Sequence, residues 1–142
     1  GFDRVLVIKS DGTYFVTDAP EKLFVGKGML HCGMADKDAL ADTVFSVVFE
    51  NAEGHTYIKR TKIEQFIIDK EYELLPDGVK VHDFTADEKK DLYVQYKPAP
   101  RLKILEERIP VVDYLVKGVR AGGVRVSTKA TKRVAFVRPR KA

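Results

Sequence analysis

The feature that most restricts this chain is a phrase that returns roughly every 45 residues, a period at which blade-like repeat architectures are built. An apolar, β-branched strand runs through a short turn into a second such strand, and an Asp stands just ahead of each copy. The first copy is Val5-Leu-Val-Ile-Lys9, Ser10-Asp-Gly12, Thr13-Tyr-Phe-Val-Thr17, with Asp-Gly supplying the turn's positive φ. The second is Val44 to Glu50, Asn51 to Gly54, Thr56 to Thr61, and the third is Leu92 to Lys97, Pro98-Ala-Pro100, Arg101 to Ile104. Asp3, Asp42 and Asp91 open the copies at intervals of 39 and 49 residues, and Gly12 and Gly54 lie 42 apart. Further apolar stretches follow each hairpin: Lys22-Leu-Phe-Val25 with Met29-Leu30, Phe66-Ile-Ile68 with Val79-Lys-Val81, and Ile109 to Val116 with Val124-Arg-Val126. Each unit therefore offers about four strands, and the spacing predicts an all-β, propeller-like array of about three four-stranded blades. The expected units are 3–41, 42–90 and 91–137, with a basic tail at 138–142. Polar segments 35–42 and 85–91 serve as connectors with at most one helical turn.

At 142 residues the chain is long enough for one domain with a real core. Its longest apolar runs fall far below the roughly eighteen residues of a membrane span, so a soluble protein with no membrane partner is expected. A single Cys32 excludes a disulfide scaffold and fits a cytoplasmic setting. The chain opens Gly1-Phe2-Asp3 without Met and reads as a piece of a longer protein, to whose function its own belongs.

Charge is segregated. Residues 1–116 hold 16 basic and 21 acidic side chains, whereas residues 117–142 hold nine basic and no acidic ones, among them Lys117, Arg120, Arg125, Lys129, Lys132 and Arg133. A balance of −5 thus gives way to one of +9, a pattern that points to an anionic partner.

Gly54-His-Thr-Tyr-Ile-Lys-Arg60, Lys9-Ser-Asp-Gly-Thr-Tyr14, Val25-Gly-Lys-Gly28 and the run Lys117-Gly-Val-Arg-Ala-Gly-Gly-Val-Arg125 are the phrases that carry a family likeness. Over residues 4–137 the chain resembles the C-terminal β-pinwheel domain of the A subunit of bacterial DNA gyrase and topoisomerase IV. Two features depart from that family's pattern. Three units stand here where complete pinwheels usually have five or six, and the gyrase box Gln-Arg-Arg-Gly-Gly-Arg-Gly has only Arg120-Ala-Gly-Gly-Val-Arg125 as a relative, which favours topoisomerase IV over gyrase, or a blade distant from the box. The resemblance implies a domain that binds and bends double-stranded DNA without sequence readout and presents the transfer segment to the cleavage core. It also implies a bacterial, nucleoid-associated parent, an A2B2 holoenzyme completed by the ATPase B subunit. The parent's ATP and Mg would lie on other domains, and this stretch needs no cofactor of its own.

With that resemblance, Lys59, Arg60 and Lys62 after the second turn and Arg101 and Lys103 after the third become candidates for one DNA-facing rim, where cations release condensed counterions. On their own, such residues equally keep edge strands soluble. Lys117, Arg120 and Arg125, flanking Gly118, Gly122 and Gly123, add backbone amides suited to phosphate oxygens. Lys129, Lys132 and Arg133 extend the basic stretch. Enzyme signatures are weak, so the fragment itself is expected to be non-catalytic. His31-Cys32 has no further Cys to complete a metal site and reads as a structural thiol. Asp36, Asp38 and Asp42 lack the central Gly and closing Glu of a calcium loop. Val25 to Gly28 lacks the Lys-Ser or Lys-Thr of a P-loop. None of the six Tyr stands in surroundings that mark a DNA-cleaving nucleophile. The alternative from another class is a propeller-like scaffold that docks an acidic protein on its basic surface.

Overall fold

The computed structural model describes residues 4–18, 29–34, 40, 42–63, 67, 70–76 and 78–138. Twelve strands among them form three sheets. β1 (Arg4–Lys9) and β2 (Thr13–Asp18) make the first hairpin, flanked by β3 (Met29–Met34) on β1 and by β6 (Tyr72–Glu73) on β2, in the order β3-β1-β2-β6. β4 (Phe45–Glu50) and β5 (Thr56–Thr61) make the second, with β7 (Lys80–Thr85) on β4 and both β10 (Val116–Lys117) and β11 (Val124–Arg125) on β5. β8 (Asp91–Tyr96) is the centre of the third, between β12 (Thr131–Val137) and β9 (Glu106–Pro110). A 3-10 turn, Val111–Asp113, follows β9. Among the described residues no helix is long and apolar enough to cross a membrane.

The sheets are not closed blades of consecutive strands. The first borrows β6 and the second borrows β10 and β11 from the sequence unit that follows. At the first seam the amides of Leu74 and Leu75 both donate to the Gly12 carbonyl, at 2.6 and 3.0 Å. Gly12 has φ +94, and a Cβ there would stand 2.9 Å from that of Leu75, so this turn has no room for any other residue.

Burial explains the strand sequences. β2 and β8 alternate, hiding Tyr14 and Val16 or Leu92, Val94 and Tyr96 on one face. β4 is buried along both faces because its sheet is the middle layer. Phe45, Val47 and Phe49 pack with Leu6, Ile8, Tyr14 and Leu75 toward the first sheet. Val48, with Ile58 of β5, packs against Leu92, Val94 and Phe136 of the third. A run that is apolar but for the small Ser46, Val44 to Phe49, is what such a two-sided position requires.

The third hairpin differs from its expected form. Its second strand is not Arg101 to Ile104; pairing resumes only at Leu105, whose carbonyl accepts from the Tyr96 amide at 2.8 Å. Pro98 and Pro100 bring no N–H to a ladder, so the chain instead closes a turn in which the Leu102 amide donates to the Ala99 carbonyl at 3.1 Å. The short strand β6 is a further element that the sequence pattern did not announce. Lys22 to Val25, Val25 to Gly28, Asp3, Asp36, Asp38 and most of Phe66 to Ile68 lie outside the described residues.

Candidate functional site

The basic candidates fall into three groups, and the first is not on a rim. Lys59 and Arg60, expected to face a ligand, are 2% and 4% exposed. The reason is their register: they pair with Val47 and Ser46 of the two-sided strand β4, so neither face of β5 reaches solvent there. The Lys59 ammonium donates to the Leu74 carbonyl at 2.5 Å and to the Val119 carbonyl. Leu74 is bonded to Gly12, so one side chain ties the first hairpin's turn, the second sheet and a loop of the third unit together. The Arg60 guanidinium donates to the Tyr114 carbonyl at 2.6 Å and to Glu88 Oε1 at 2.9 Å. Both residues are internal struts.

The second group surrounds the loop that Lys59 holds. β10 runs parallel to β5 on Arg60 and Thr61, the chain turns out through residues 118–123, and β11 returns antiparallel on Tyr57 and Ile58. Gly123 makes the return possible, since its φ is +90 and a Cβ would stand 3.0 Å from the Ile58 carbonyl oxygen. The excursion leaves Lys117, Arg120 and Arg125 exposed. Lys117, Arg120 and half-buried Lys62 line a groove of about 1370 Å³ between this loop and the Tyr72 to Pro76 segment. Glu71 and Glu73 stand on its opposite wall, and Lys9 holds Glu71 at 3.1 Å. Tyr14 and Tyr72 stack on its floor with ring centroids 5.3 Å apart. Arg125 Nε donates to the Ser127 carbonyl at 3.1 Å, which braces its side chain at the loop's far end.

The third group lies on the third sheet. Arg101 and Lys103 are exposed in the loop between β8 and β9, not on a strand. Lys129 precedes β12 and sits 5.3 Å over the Tyr96 ring, while Lys132 and Arg133 project from the strand itself. Lys97, exposed beside Pro98, belongs with them, although only its charge next to a proline turn marked it in the sequence. The solvated candidates are thus those of the groove loop and those of the third sheet, without the buried pair.

Cys32 is exposed, so its expected structural role has no packing behind it, and His31 lies edge-on to Phe45 at 5.4 Å. Among the described residues no three His, Cys, Asp or Glu side chains converge as a metal site.

Burial pushes Lys59 down from 10.5 to about 8, with Glu73 pulling the other way. Between pH 8 and 10.5 the unfolded chain then carries a proton that the folded chain lacks, so stability rises with pH across that window. Burial pushes Tyr14 and Tyr114 up from 10.0 to about 12, so above pH 10 the unfolded chain loses protons that the folded one keeps, and stability falls. Urea titrations at stepped pH should therefore find a stability maximum near about pH 10. Lys59→Met should remove the rising limb and leave the falling one.

Comparison with known proteins puts these features in context. The sequence profile of the family described as topoisomerase C-terminal domain, Bacteroidota, matches residues 1–138. The A subunit of DNA topoisomerase 4 from Borreliella burgdorferi is 27% identical over 136 residues, which is 95% of this chain and 21% of that protein. A solved structure of the C-terminal domain of DNA topoisomerase IV superposes with a TM-score of 0.56 at 14% identity, covering 97% of this chain and 47% of that one. The likeness to it is one of fold, an all-β repeat of the pinwheel kind.

Proposed function

Since this chain belongs to the topoisomerase C-terminal domain family of Bacteroidota, the accessory region of the DNA-cleaving A subunit in type IIA topoisomerases, we propose that it binds and bends duplex DNA. Its role is to present a transfer segment to the cleavage core of its parent. The observation that carries the reading is the groove loop: Lys117 and Arg120 stand exposed on a glycine-rich excursion whose geometry is fixed by Lys59 and Gly123. Phosphates need cations held at a spacing and need no base-reading side chains, which suits a domain that must accept any passing duplex. The parent is a bacterial type II topoisomerase, cytoplasmic and nucleoid-associated, in which two copies of the cleaving chain work with two of the ATPase chain. ATP and Mg serve its other domains, and this region contributes binding without catalysis.

Fluorescence anisotropy on a labelled duplex tests the reading. With roughly three to six phosphate contacts, log affinity should fall against log salt with a slope of about −3 to −5, and unrelated sequences should bind alike. A flat salt response, or polyglutamate binding that duplex DNA does not displace, would refute it in favour of an acidic protein partner.

A further inference from the structure

The three hairpin tips differ in chemistry. At the first, Asp11 Oδ1 accepts from the Thr13 amide and hydroxyl at 2.9 and 2.6 Å, and Gly12 is packed under Leu75. At the second, Asn51 Oδ1 accepts from the Glu53 and His55 amides at 3.1 and 2.9 Å, leaving Glu53 outward. Both tips carry a carboxylate and repel an anion. The third, Lys97 to Arg101, is exposed throughout and has no acidic residue.

Behind this tip lies a hollow of about 480 Å³, walled by Pro98, Pro100, Leu102 and Ala130. Lys97, Arg101 and Lys129 also line it, and no acid does. The frame is fixed: the Lys97 amide donates to the Ala130 carbonyl at 2.9 Å, and the 99-to-102 turn holds Arg101 at φ 68. Among the described residues Arg101 is the only non-glycine with positive φ, a conformation that side chains with a Cβ resist. Apolar walls ringed by cations complement a ligand that is apolar and anionic by turns. Deoxyribose with its flanking phosphates has that alternation.

We propose that this hollow receives the sugar and base edge of one nucleotide, turned partly out of the stack where the duplex bends over the third sheet, with Lys97, Arg101 and Lys129 on its neighbouring phosphates. The assignment rests on the DNA-binding reading above. It concentrates the bend at one unstacked step, and unstacking is easiest at a mismatch.

The test uses the whole chain and two end-labelled duplexes, one perfect and one with a central mismatch beside a 2-aminopurine. The mismatched duplex should bind about tenfold more tightly, and the 2-aminopurine should brighten as it leaves the stack. Ala130→Phe fills the hollow and keeps all three cations. It should weaken binding to the perfect duplex by no more than about threefold and bring the mismatch preference close to one. Ala99→Phe fills the hollow from the turn and serves if the first variant does not fold. Equal affinity of the unaltered chain for both duplexes overturns the proposal, as does a preference that survives filling. Failure to bind either duplex at low salt overturns the DNA reading itself, and the hollow's role with it.

Discussion

Lys59→Glu should abolish the folded state. The substitution places a carboxylate where an ammonium now meets the carbonyl oxygens of Leu74 and Val119, in a position 2% exposed. Leaving one unmatched charge in such a site costs about 3–5 kcal/mol, against a total of about 5–15 kcal/mol for a domain of this size. The loss is compounded because Leu74 carries the seam to Gly12, so the first and second sheets separate along with the loop. Lys59→Met, which keeps the buried stem and loses the donors, should cost about 2 kcal/mol for two stranded carbonyls and lower the thermal midpoint by about 6–10 °C. Circular dichroism melts separate the two. A Lys59→Glu chain that melts like the original and binds DNA less well would return Lys59 to the surface rim that its sequence neighbourhood suggests.

The second large effect is on binding alone. Lys117→Ala with Arg120→Ala removes two exposed cations from the groove loop, while the ladder on β5 and the Lys59 latch use only backbone atoms of that loop. Each phosphate contact contributes about 0.9 to the salt slope, which amounts to a factor of about five between 1 M and 0.15 M salt. The double variant should therefore bind duplex DNA about 30-fold more weakly at 0.15 M salt, with a slope shallower by about two and an unchanged melting curve. Lys89→Ala with Lys90→Ala is the control. These residues follow Asp87 and Glu88, and Asp87 Oδ1 already accepts from the Lys89 amide at 2.9 Å. An equal loss from that pair would show attraction by net charge without a site.

The first two hairpins are legible in the sequence because their turns depend on residues with one conformational meaning: Gly12 and Gly54 have φ of +94 and +85. The third is misplaced there because its prolines mark a turn but not its length. Lys59 and Arg60 mislead for a different reason. Lys-Arg beside a glycine turn looks solvated in one dimension, and only tertiary layering puts both faces of β5 indoors. A usable signal does exist, in the run of the partner strand from Val44 to Phe49, which is apolar but for Ser46. A hairpin whose first strand is buried on two sides must bury its second strand as well, whatever its charges, and those charges then need carbonyl or carboxylate partners. The groove loop is readable as basic and glycine-rich. Its attachment to the same edge of β5 at both ends is not, because β10 and β11 are two residues each and carry no periodicity.

Borrowed edge strands also dictate the order in which a ribosome can deliver this protein. The first hairpin is complete when Asp18 has been made, yet its edge stays bare until Tyr72–Glu73 arrives, and β5 waits from Thr61 to Val116–Lys117 and then Val124–Arg125. No repeat can therefore fold and be left behind finished while the next is synthesised. Each of the first two nascent hairpins holds an open hydrogen-bonding edge for roughly 55 residues of elongation, which at about 5–20 residues per second is several seconds of exposure to other chains. The same interlock makes the finished array fail as a whole, because pulling out one unit strips the edge of the one before it.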